Sequence, residues 1–506
     1  MRSLLLCLLA WACTAEKYDF EPTVLELGTP KLLRTVAMYT HADAPEKSNK
    51  ANNPKGESYI KIKLDFTSTQ EMKSEKVVTA VMQAHTLDFI GTSVAGGKRY
   101  CCSQEEVTQG LCKIGDLIIH PQADVDVQTF TANFEGSKTT TVSGTFNVKH
   151  TGQHLLVVAS CEAEGKLTVS GTGVWMNPYG YLSGQVYGFM AFYGNMALLY
   201  LAVGLVWFIL NCMYFKEVFA LQNCVAAALG ICMVEMATWY FDYEHLNKIG
   251  TRNSGAIFFG IFTSSVRKAI SRMLILAVSF GWGVVKPSLG PAQCKITALG
   301  GVYFIFEFAL EMVVRWSHHR EVNSSVRMFL ALPVSICNAI FYWWIFVTLY
   351  RLIAKLEARN QAIKLQLYKR FTNVLIASLL ASVGFAIYQM YFLAKKKMLT
   401  EWNKMWILDG GFEEMAYSAI LFVIAFLWRP SNNSRRYAYA QVGDNRGEED
   451  DFGDLEDNDI PLSNINHRMA TFQDDEGPEP KFTVDVDSDD GSGSDDLVRD
   501  VTGKID

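Results

Sequence analysis

Gly255-Ala-Ile-Phe-Phe-Gly-Ile-Phe-Thr-Ser-Ser-Val-Arg-Lys-Ala-Ile-Ser-Arg-Met-Leu-Ile-Leu-Ala-Val-Ser-Phe-Gly-Trp-Gly-Val-Val285 decides how the rest of the chain is read. The run is apolar, yet Arg267, Lys268 and Arg272 stand where a membrane-spanning helix is driest. Each unpaired charge at mid-bilayer costs roughly 2.5 to 3.5 kcal/mol, so three would cost on the order of 8 to 10. Helical geometry puts Lys268 and Arg272 on one face and turns Arg267 about 100° away from Lys268. The other spans must then wrap this one and bring carboxylates to it, and the sequence offers Glu235, Glu307, Glu311, Asp409 and Glu413.

Seven segments are long and apolar enough to cross a bilayer: Val186 to Leu210, Val218 to Phe241, Gly255 to Val285, Ile296 to Val314, Met328 to Tyr350, Phe371 to Leu393 and Trp406 to Trp428. Before them, Arg2, an apolar run from Leu4 to Trp11 and Cys13-Thr14-Ala15 read as a cleavable secretory signal over residues 1–15, too short to anchor in hydrocarbon. Residues 16–181 would then enter an oxidising lumen, and seven spans leave the carboxyl terminus in the cytosol. Arg351 to Arg370 falls on the cytosolic side with Lys355, Arg359, Lys364 and Lys369, although Lys395 to Lys397 fall outside. Leu352, Leu356, Ile363 and Leu367 repeat at helical spacing there, so the fifth and sixth helices extend beyond the bilayer; the basic face either meets anionic lipid or only fixes orientation.

Residues 16–181 read as β. Tyr59-Ile-Lys-Ile-Lys-Leu-Asp-Phe66 alternates strictly and puts Ile60, Ile62, Leu64 and Phe66 on one buried face. Val77 to Val81, Leu117 to His120, Val125 to Phe134, Thr145 to Val148, His154 to Cys161 and Leu167 to Val174 continue the series, a spacing that suggests an antiparallel β-sandwich. Ala42 to Glu57, rich in Lys, Asn and Pro, reads as a mobile surface loop. Cys101, Cys102, Cys112 and Cys161 imply two disulfides. A bond between adjacent Cys101 and Cys102 is disfavoured by geometry, so one of the pair goes to Cys112 and the other to Cys161. Adjacent cysteines without a close His argue against a metal site, and His120, His150 and His154 read as ordinary strand or loop residues.

The formal charge of -6 conceals a split: residues 444–506 hold 21 acidic and 5 basic residues, a net of -16, leaving +10 for the rest. That tail, residues 431–506 with the apolar content gone, cannot bury enough surface to fold. Tyr439-Ala-Gln-Val442 fits the tyrosine signal that clathrin adaptors read, and Thr471, Ser488, Ser492 and Ser494 lie among acids as kinase sites. The basic residues form no stripe, so nucleic acid is not a partner. Asn323-Ser-Ser325 is a glycosylation sequon close to the membrane, and His318 and His319 adjoin it in a luminal loop.

Enzyme chemistry finds no Gly-Lys-Ser phosphate loop, no His-Glu-x-x-His and no Gly-x-Ser-x-Gly, and neither a catalytic residue nor a cofactor is expected. Asn177-Pro-Tyr-Gly-Tyr181 satisfies the Asn-Pro-x-x-Tyr string of G-protein-coupled receptors but precedes the first span, and no Asp-Arg-Tyr closes the third, so it reads as a rigid turn joining sandwich to bundle. The charged residues allow two roles. Either the acids only neutralise the cations in a packed network, or together they line a polar, water-filled cavity that holds an ion, a lipid headgroup or a cargo segment. Ser264, Ser265, Ser271 and Asn338 add polar lining or bond between helices.

Asn177-Pro-Tyr-Gly-Tyr-Leu182, Phe192-Tyr-Gly194, Ser279-Phe-Gly-Trp-Gly-Val-Val-Lys-Pro287, Leu427-Trp-Arg-Pro-Ser431 and Arg436-Tyr-Ala-Tyr439 fall in order along a chain that resembles the seven-transmembrane proteins with a luminal Golgi-dynamics (GOLD) β-sandwich. This lung seven-transmembrane receptor-like family is resembled over the membrane block, where the chain looks most like the transmembrane protein 87 branch. The resemblance implies a Golgi or endosomal membrane protein, also to be sought at the plasma membrane, acting in endosome to trans-Golgi transport. Its partners would be membrane lipids, luminal cargo proteins and cytosolic sorting adaptors. Some family members have been proposed as cation channels or regulators of Golgi pH, and the membrane half is similar to that of the Wnt carrier Wntless. The expected function is a sorting or cargo receptor, with a cation channel or channel regulator as the alternative.

Overall fold

A computed structural model describes residues 17–430, apart from residues 50, 73–74, 95–96, 109, 111, 121–125, 162–166, 219, 287, 317–323, 396 and 398–399. The signal sequence, His318 and His319, Asn323, and the acidic tail with Tyr439 and Val442 lie outside the described residues.

Ten strands come first: β1 (Lys17–Leu25), β2 (Lys31–Met38), β3 (Tyr59–Met72), β4 (Lys76–Gln83), β5 (Thr92–Val94), β6 (Gly97–Arg99), β7 (Val127–Asn133), β8 (Ser137–Asn147), β9 (Gly152–Ser160) and β10 (Leu167–Met176). Two antiparallel four-stranded sheets result, ordered β1-β10-β3-β8 and β2-β9-β4-β7, with β5-β6 a separate hairpin. Alternation in β3 sends Ile60, Ile62, Leu64 and Phe66 inward, where they meet Val36, Val77, Val81, Leu156 and Val158 from the other sheet in one core. Four strands, β1, β2 and the short β5 and β6, were not read from the sequence. Leu117 to His120, expected as a strand, makes only isolated bridges, Leu117 to Cys101 and Ile119 to Ile90. Cys101 is bonded to Cys161 and Cys102 to Cys112.

Seven long helices follow: α1 (Gly184–Met213), α2 (Ala220–Ile249), α3 (Ser254–Ser279), α4 (Ala292–Glu311), α5 (Ser324–Ala358), α6 (Ala362–Ala394) and α7 (Phe412–Leu427). Widened turns extend α4 through Met312–Trp316 and precede α7 at Ile407–Gly411. Among the described residues six stretches are long and apolar enough to cross a membrane: α1, α2, α4 with its extension, α5, α6 and the stretch Trp402–Leu427. The exception is α3. Its 26 residues span about 39 Å at 1.5 Å each, enough for a hydrocarbon core, but its charges break the apolar criterion.

One continuous core joins all seven, from Tyr200 and Trp207 on α1 to Tyr368 and Phe371 on α6 and Leu421 and Ile424 on α7. Outward faces are apolar too, with Leu198, Phe208, Ile305, Trp343 and Leu380 exposed, as a lipid-facing surface requires. The fifth helix runs on to Ala358 and the sixth starts at Ala362, with Asn360 at φ 51° making the reversal. The third helix stops at Ser279, short of the expected Val285, because Gly281 and Gly283 take positive φ and fold the chain back.

The sandwich is fixed to one end of the bundle by asparagines. Asn177 and Gly180 close a tight turn by mutual backbone bonds of 2.8 and 3.1 Å. Asn177 Oδ1 accepts from Tyr39 N at 2.8 Å, and its Nδ2 donates to Leu182 O at 2.9 Å. Asn247, on the last turn of α2, donates to Tyr179 O at 2.9 Å and accepts from Leu182 N at 3.2 Å. Ala42 to Glu57, expected as a mobile loop, is part of this joint. Asn49 donates to Tyr179 O, Asn52 to Asn247 O and Asn53 to Asn177 O, while Ala44 is buried in the bundle core. Polar composition suggested solvent there; the amides instead satisfy backbone groups where strand and helix ends meet.

Candidate functional site

Asn253 starts α3 by accepting from Gly255 N at 2.9 Å, and the helix packs against α2, α4 and α5. Helical rotation then distributes its three cations to different neighbours. Arg267 turns to α2 and α7: its guanidinium pairs with Glu235 through both carboxylate oxygens, and Nη2 donates to Glu414 Oε1 at 2.6 Å. The guanidinium also lies 4.7 Å from the centre of the Tyr417 ring. Arg267 is 4% exposed and Glu235 1%, so the pair is removed from both water and lipid.

Lys268 turns to α4. Its Nζ donates to Glu307 Oε1 at 2.6 Å and to Glu311 Oε1 at 2.5 Å, carboxylates one turn apart on the same face. Glu311 in turn accepts from Arg315 Nε at 2.5 Å, and Arg315 lies over the Trp239 ring at 4.4 Å. Arg272, one turn beyond Lys268, donates from Nε to Asn338 Oδ1 on α5 at 2.6 Å and from Nη1 to Lys268 O at 3.1 Å, and faces the Tyr303 ring at 4.5 Å. Four cations and four carboxylates thus meet within the bundle among the described residues. Desolvating so many charges is tolerable only because each has a direct partner.

Two expected members are absent from this network. Asp409 and Glu413 are exposed, and Glu414 takes the inward place. The reason is register: Gly411, Glu414, Ser418, Leu421 and Ala425 form the buried stripe of this last span, at alternating steps of three and four. Glu413 lies one residue, about 100°, off that stripe. Asp409 belongs to the widened turn before α7, where Gly410 takes φ 140°. Composition did not single this stripe out, since Asp409, Gly410, Glu413, Ala416 and Ala419 are equally small or polar positions of the same segment. Arg315 was missed because the apolar run ends at Val314, yet the widened turn carries the helix on and brings Arg315 beneath Glu311.

Polar lining is thinner than the serine count suggests. Ser265 bonds back to Ile261 O and Ser271 to Lys268 O, so each satisfies itself within α3. Ser418 on α7 bonds to its own Glu414 O and meets Tyr200 Oη at 2.7 Å. No cluster of His, Cys, Asp and Glu suited to a metal occurs among the described residues.

Residues 188–435 match the sequence model of the family described as GOST, seven transmembrane domain. The matched range includes α3 and the six apolar stretches in whole or large part, and the chain is a multi-pass membrane protein. The chain is 33% identical over 305 residues to Transmembrane protein 87B of Mus musculus, covering 59% of this chain and 53% of the relative. It is 30% identical over 273 residues to Transmembrane protein 87A of Homo sapiens, covering 54% and 48%. Against Membrane protein PTM1 of Saccharomyces cerevisiae it is 20% identical over 387 residues, covering 72% and 73%. The chain therefore spans about half the length of the two animal relatives.

Proposed function

Residues 188–435 are a GOST seven-transmembrane domain, and on that premise we propose that the chain is a Golgi and endosomal membrane protein that sorts cargo. In this reading the sandwich is a luminal GOLD-like domain that meets cargo, and the carboxyl-terminal tail addresses adaptors through Tyr439 and Val442. The observation that supports it is the joint. A domain that merely hangs on a tether needs no buried contacts with the bundle, whereas here Asn177 and Asn247 bind backbone groups on both sides of the boundary. Occupancy of the sandwich has a stiff path into the helices. The test is co-purification and localisation of the full chain: Tyr439→Ala should shift it away from the Golgi and release adaptor, and Asn52→Ala, which removes amide bonds across the joint, should weaken cargo capture. Unchanged distribution and unchanged bound proteins would remove the receptor reading.

A second reading, ion conduction or its regulation, is favoured by one specific feature: Glu235 and Glu414 share the single guanidinium of Arg267. A proton or cation at that pair would bring its charges into balance, and the bundle would then hold the polar cavity that conduction needs. Purified protein in liposomes should then pass cations, with Glu414→Gln, Glu307→Gln and Arg272→Ala each altering the flux. A folded but silent preparation would exclude conduction.

A further inference from the structure

The last span is entered through Ile407-Leu408-Asp409-Gly410-Gly411-Phe412-Glu413-Glu414. Its buried residues are Leu408, Gly411 and Glu414, and each is preceded by a residue of its own kind: Ile407, Gly410 and Glu413. A Cβ at Gly411 would stand 2.8 Å from Cε3 of Trp406, so that place needs a glycine, and Gly410 is one too. The likeness stops one turn further on. Ser418 meets Tyr200 Oη at 2.7 Å and the Tyr417 ring lies 4.7 Å from the Arg267 guanidinium, roles that the two residues cannot exchange.

A widened turn is one extra residue in a helix, and moving it along rotates the residues it passes by one position, about 100°. Here the extra residue lies within Ile407–Gly411, where Gly410 takes φ 140°. Carried past Glu414 and halted before Ser418, it would bring Ile407, Gly410 and Glu413 into the places of Leu408, Gly411 and Glu414. An apolar side chain would replace an apolar one, glycine would replace glycine, and Arg267 would keep two carboxylates. Neither arrangement strands a buried charge, which is the cost that would otherwise forbid the second.

The neighbours of this lead-in would feel the change. Phe412 stacks on Phe385 of α6 with ring centres 3.9 Å apart, and Gln389 Nε2, one turn along α6, donates to Leu408 O at 2.7 Å. No residue of α6 from 376 to 390 is buried, and Phe385 and Gln389 are two of the three that are half-buried there. In the second register Gly411 would face Phe385 where Phe412 now stands, and the ring stack would be lost. Toward the sandwich, Trp402 meets Tyr39 of the joint at 4.9 Å, and Trp406 fills the space that Gly188 leaves on α1.

We propose that this lead-in is a two-register switch. In the observed register the widened turn precedes Glu414 and α6 is held to α7; in the other it follows Glu414, Glu413 answers Arg267, and α6 is released. Tyr39 and Trp402 make the sandwich the element that drives the change, and the switch depends on neither the cargo nor the conduction reading.

The experiment uses the full chain in nanodiscs, carrying Phe385→Cys and Phe412→Cys as a parent pair. A short bifunctional thiol reagent joins the two, and the linked peptide is counted by mass spectrometry. Glu413→Gln should leave linking as in the parent. Glu414→Gln, by leaving Glu413 the better partner of Arg267, should lower the ratio of linked to unlinked chain about tenfold, about 1.4 kcal/mol. Adding Glu413→Gln to Glu414→Gln gives the two registers equal partners again, and linking should return to within about threefold of the parent. A helix that had merely loosened would not recover. Should Glu414→Gln fail to fold, Glu414→Asp, which keeps the charge but shortens its reach, is read in the same way. Linking in Glu414→Gln equal to that of the parent, or no recovery in the double variant, would overturn the proposal and leave the widened turn a fixed bend.

Discussion

Glu413 and Glu414 are neighbours of identical chemistry, and the structure assigns them opposite fates, so replacing each by Gln is a sharp test of the network. In Glu414→Gln the ion pair from Arg267 Nη2, 2.6 Å long, becomes a bond from the same guanidinium to a neutral amide oxygen. Hydrogen bonds to charged groups contribute about 1.5 to 3 kcal/mol, and giving up one of the two charges should forfeit about 1 to 2 kcal/mol of that. Arg267 keeps its bond to Glu235, which holds the loss to that range. Arg267→Met removes the shared cation and strands both Glu235 and Glu414, at a cost of about 3 to 5 kcal/mol. Glu413→Gln, an exposed change, should stay within about 0.5 kcal/mol. For a domain of this size 1 kcal/mol moves the unfolding midpoint by about 2 to 4 °C. Thermal unfolding of the detergent-solubilised chain, followed by tryptophan fluorescence, should therefore fall by about 2 to 8 °C for Glu414→Gln and about 6 to 20 °C for Arg267→Met. A triple variant with Met at 235, 267 and 414 should be more stable than Arg267→Met alone, because an apolar replacement of the whole group leaves no stranded charge. Equal losses for Glu413→Gln and Glu414→Gln, or a silent Arg267→Met, would refute the assignment.

Gly180→Ala should abolish expression of folded protein, because φ at Gly180 is 138° and a Cβ would stand 2.4 Å from Asn247 O; size-exclusion profiles of the solubilised chain read this. His154 is 1% exposed, and burial pushes its imidazole down to about 4 from an ordinary 6.5. Its folded value lies below the unfolded one, so its contribution is complete above about pH 6.5 and is lost as pH falls toward 4, about 3 kcal/mol in all. Unfolding midpoints of the sandwich should drop over that window, and less steeply in His154→Gln. Cys161→Ser opens a bond of sequence separation 60 and Cys112→Ser one of 10, so loop closure predicts losses of about 4 and about 3 kcal/mol respectively. Urea unfolding should rank the two variants in that order.

How much of this was legible in the sequence depended on whether the signal was local. Strict alternation from Tyr59 to Phe66 specified the inward face of β3, because side chains alternate across a strand whatever lies opposite. The 3.6-residue period separated Arg267 from Lys268 and Arg272 in the same way. Four adjacent-turn relations, Lys268 to Arg272, Glu307 to Glu311, Leu352 to Leu356 and Asn177 to Gly180, also survive as spatial ones. Two disulfides followed from four cysteines, but which of Cys101 and Cys102 took Cys161 did not, since adjacent thiols differ only in the direction their backbone gives them.

Tertiary structure alone chose the partners. Arg267 reaches Glu235 across 32 residues and Glu414 across 147, and no periodicity within one helix predicts how another is rotated against it. The widened turns at Met312–Trp316 and Ile407–Gly411 shift helix register by a fraction of a turn, which is enough to admit Arg315 and Glu414 and to leave Asp409 and Glu413 outside. Asn49, Asn52 and Asn53 became structural for the same reason: their composition signals a loop, and only the approach of strand and helix ends supplied the backbone groups they satisfy. The chain by itself determined which faces must be buried and that the cations of α3 need counter-charges. Packing between segments far apart in sequence determined which carboxylates answer them.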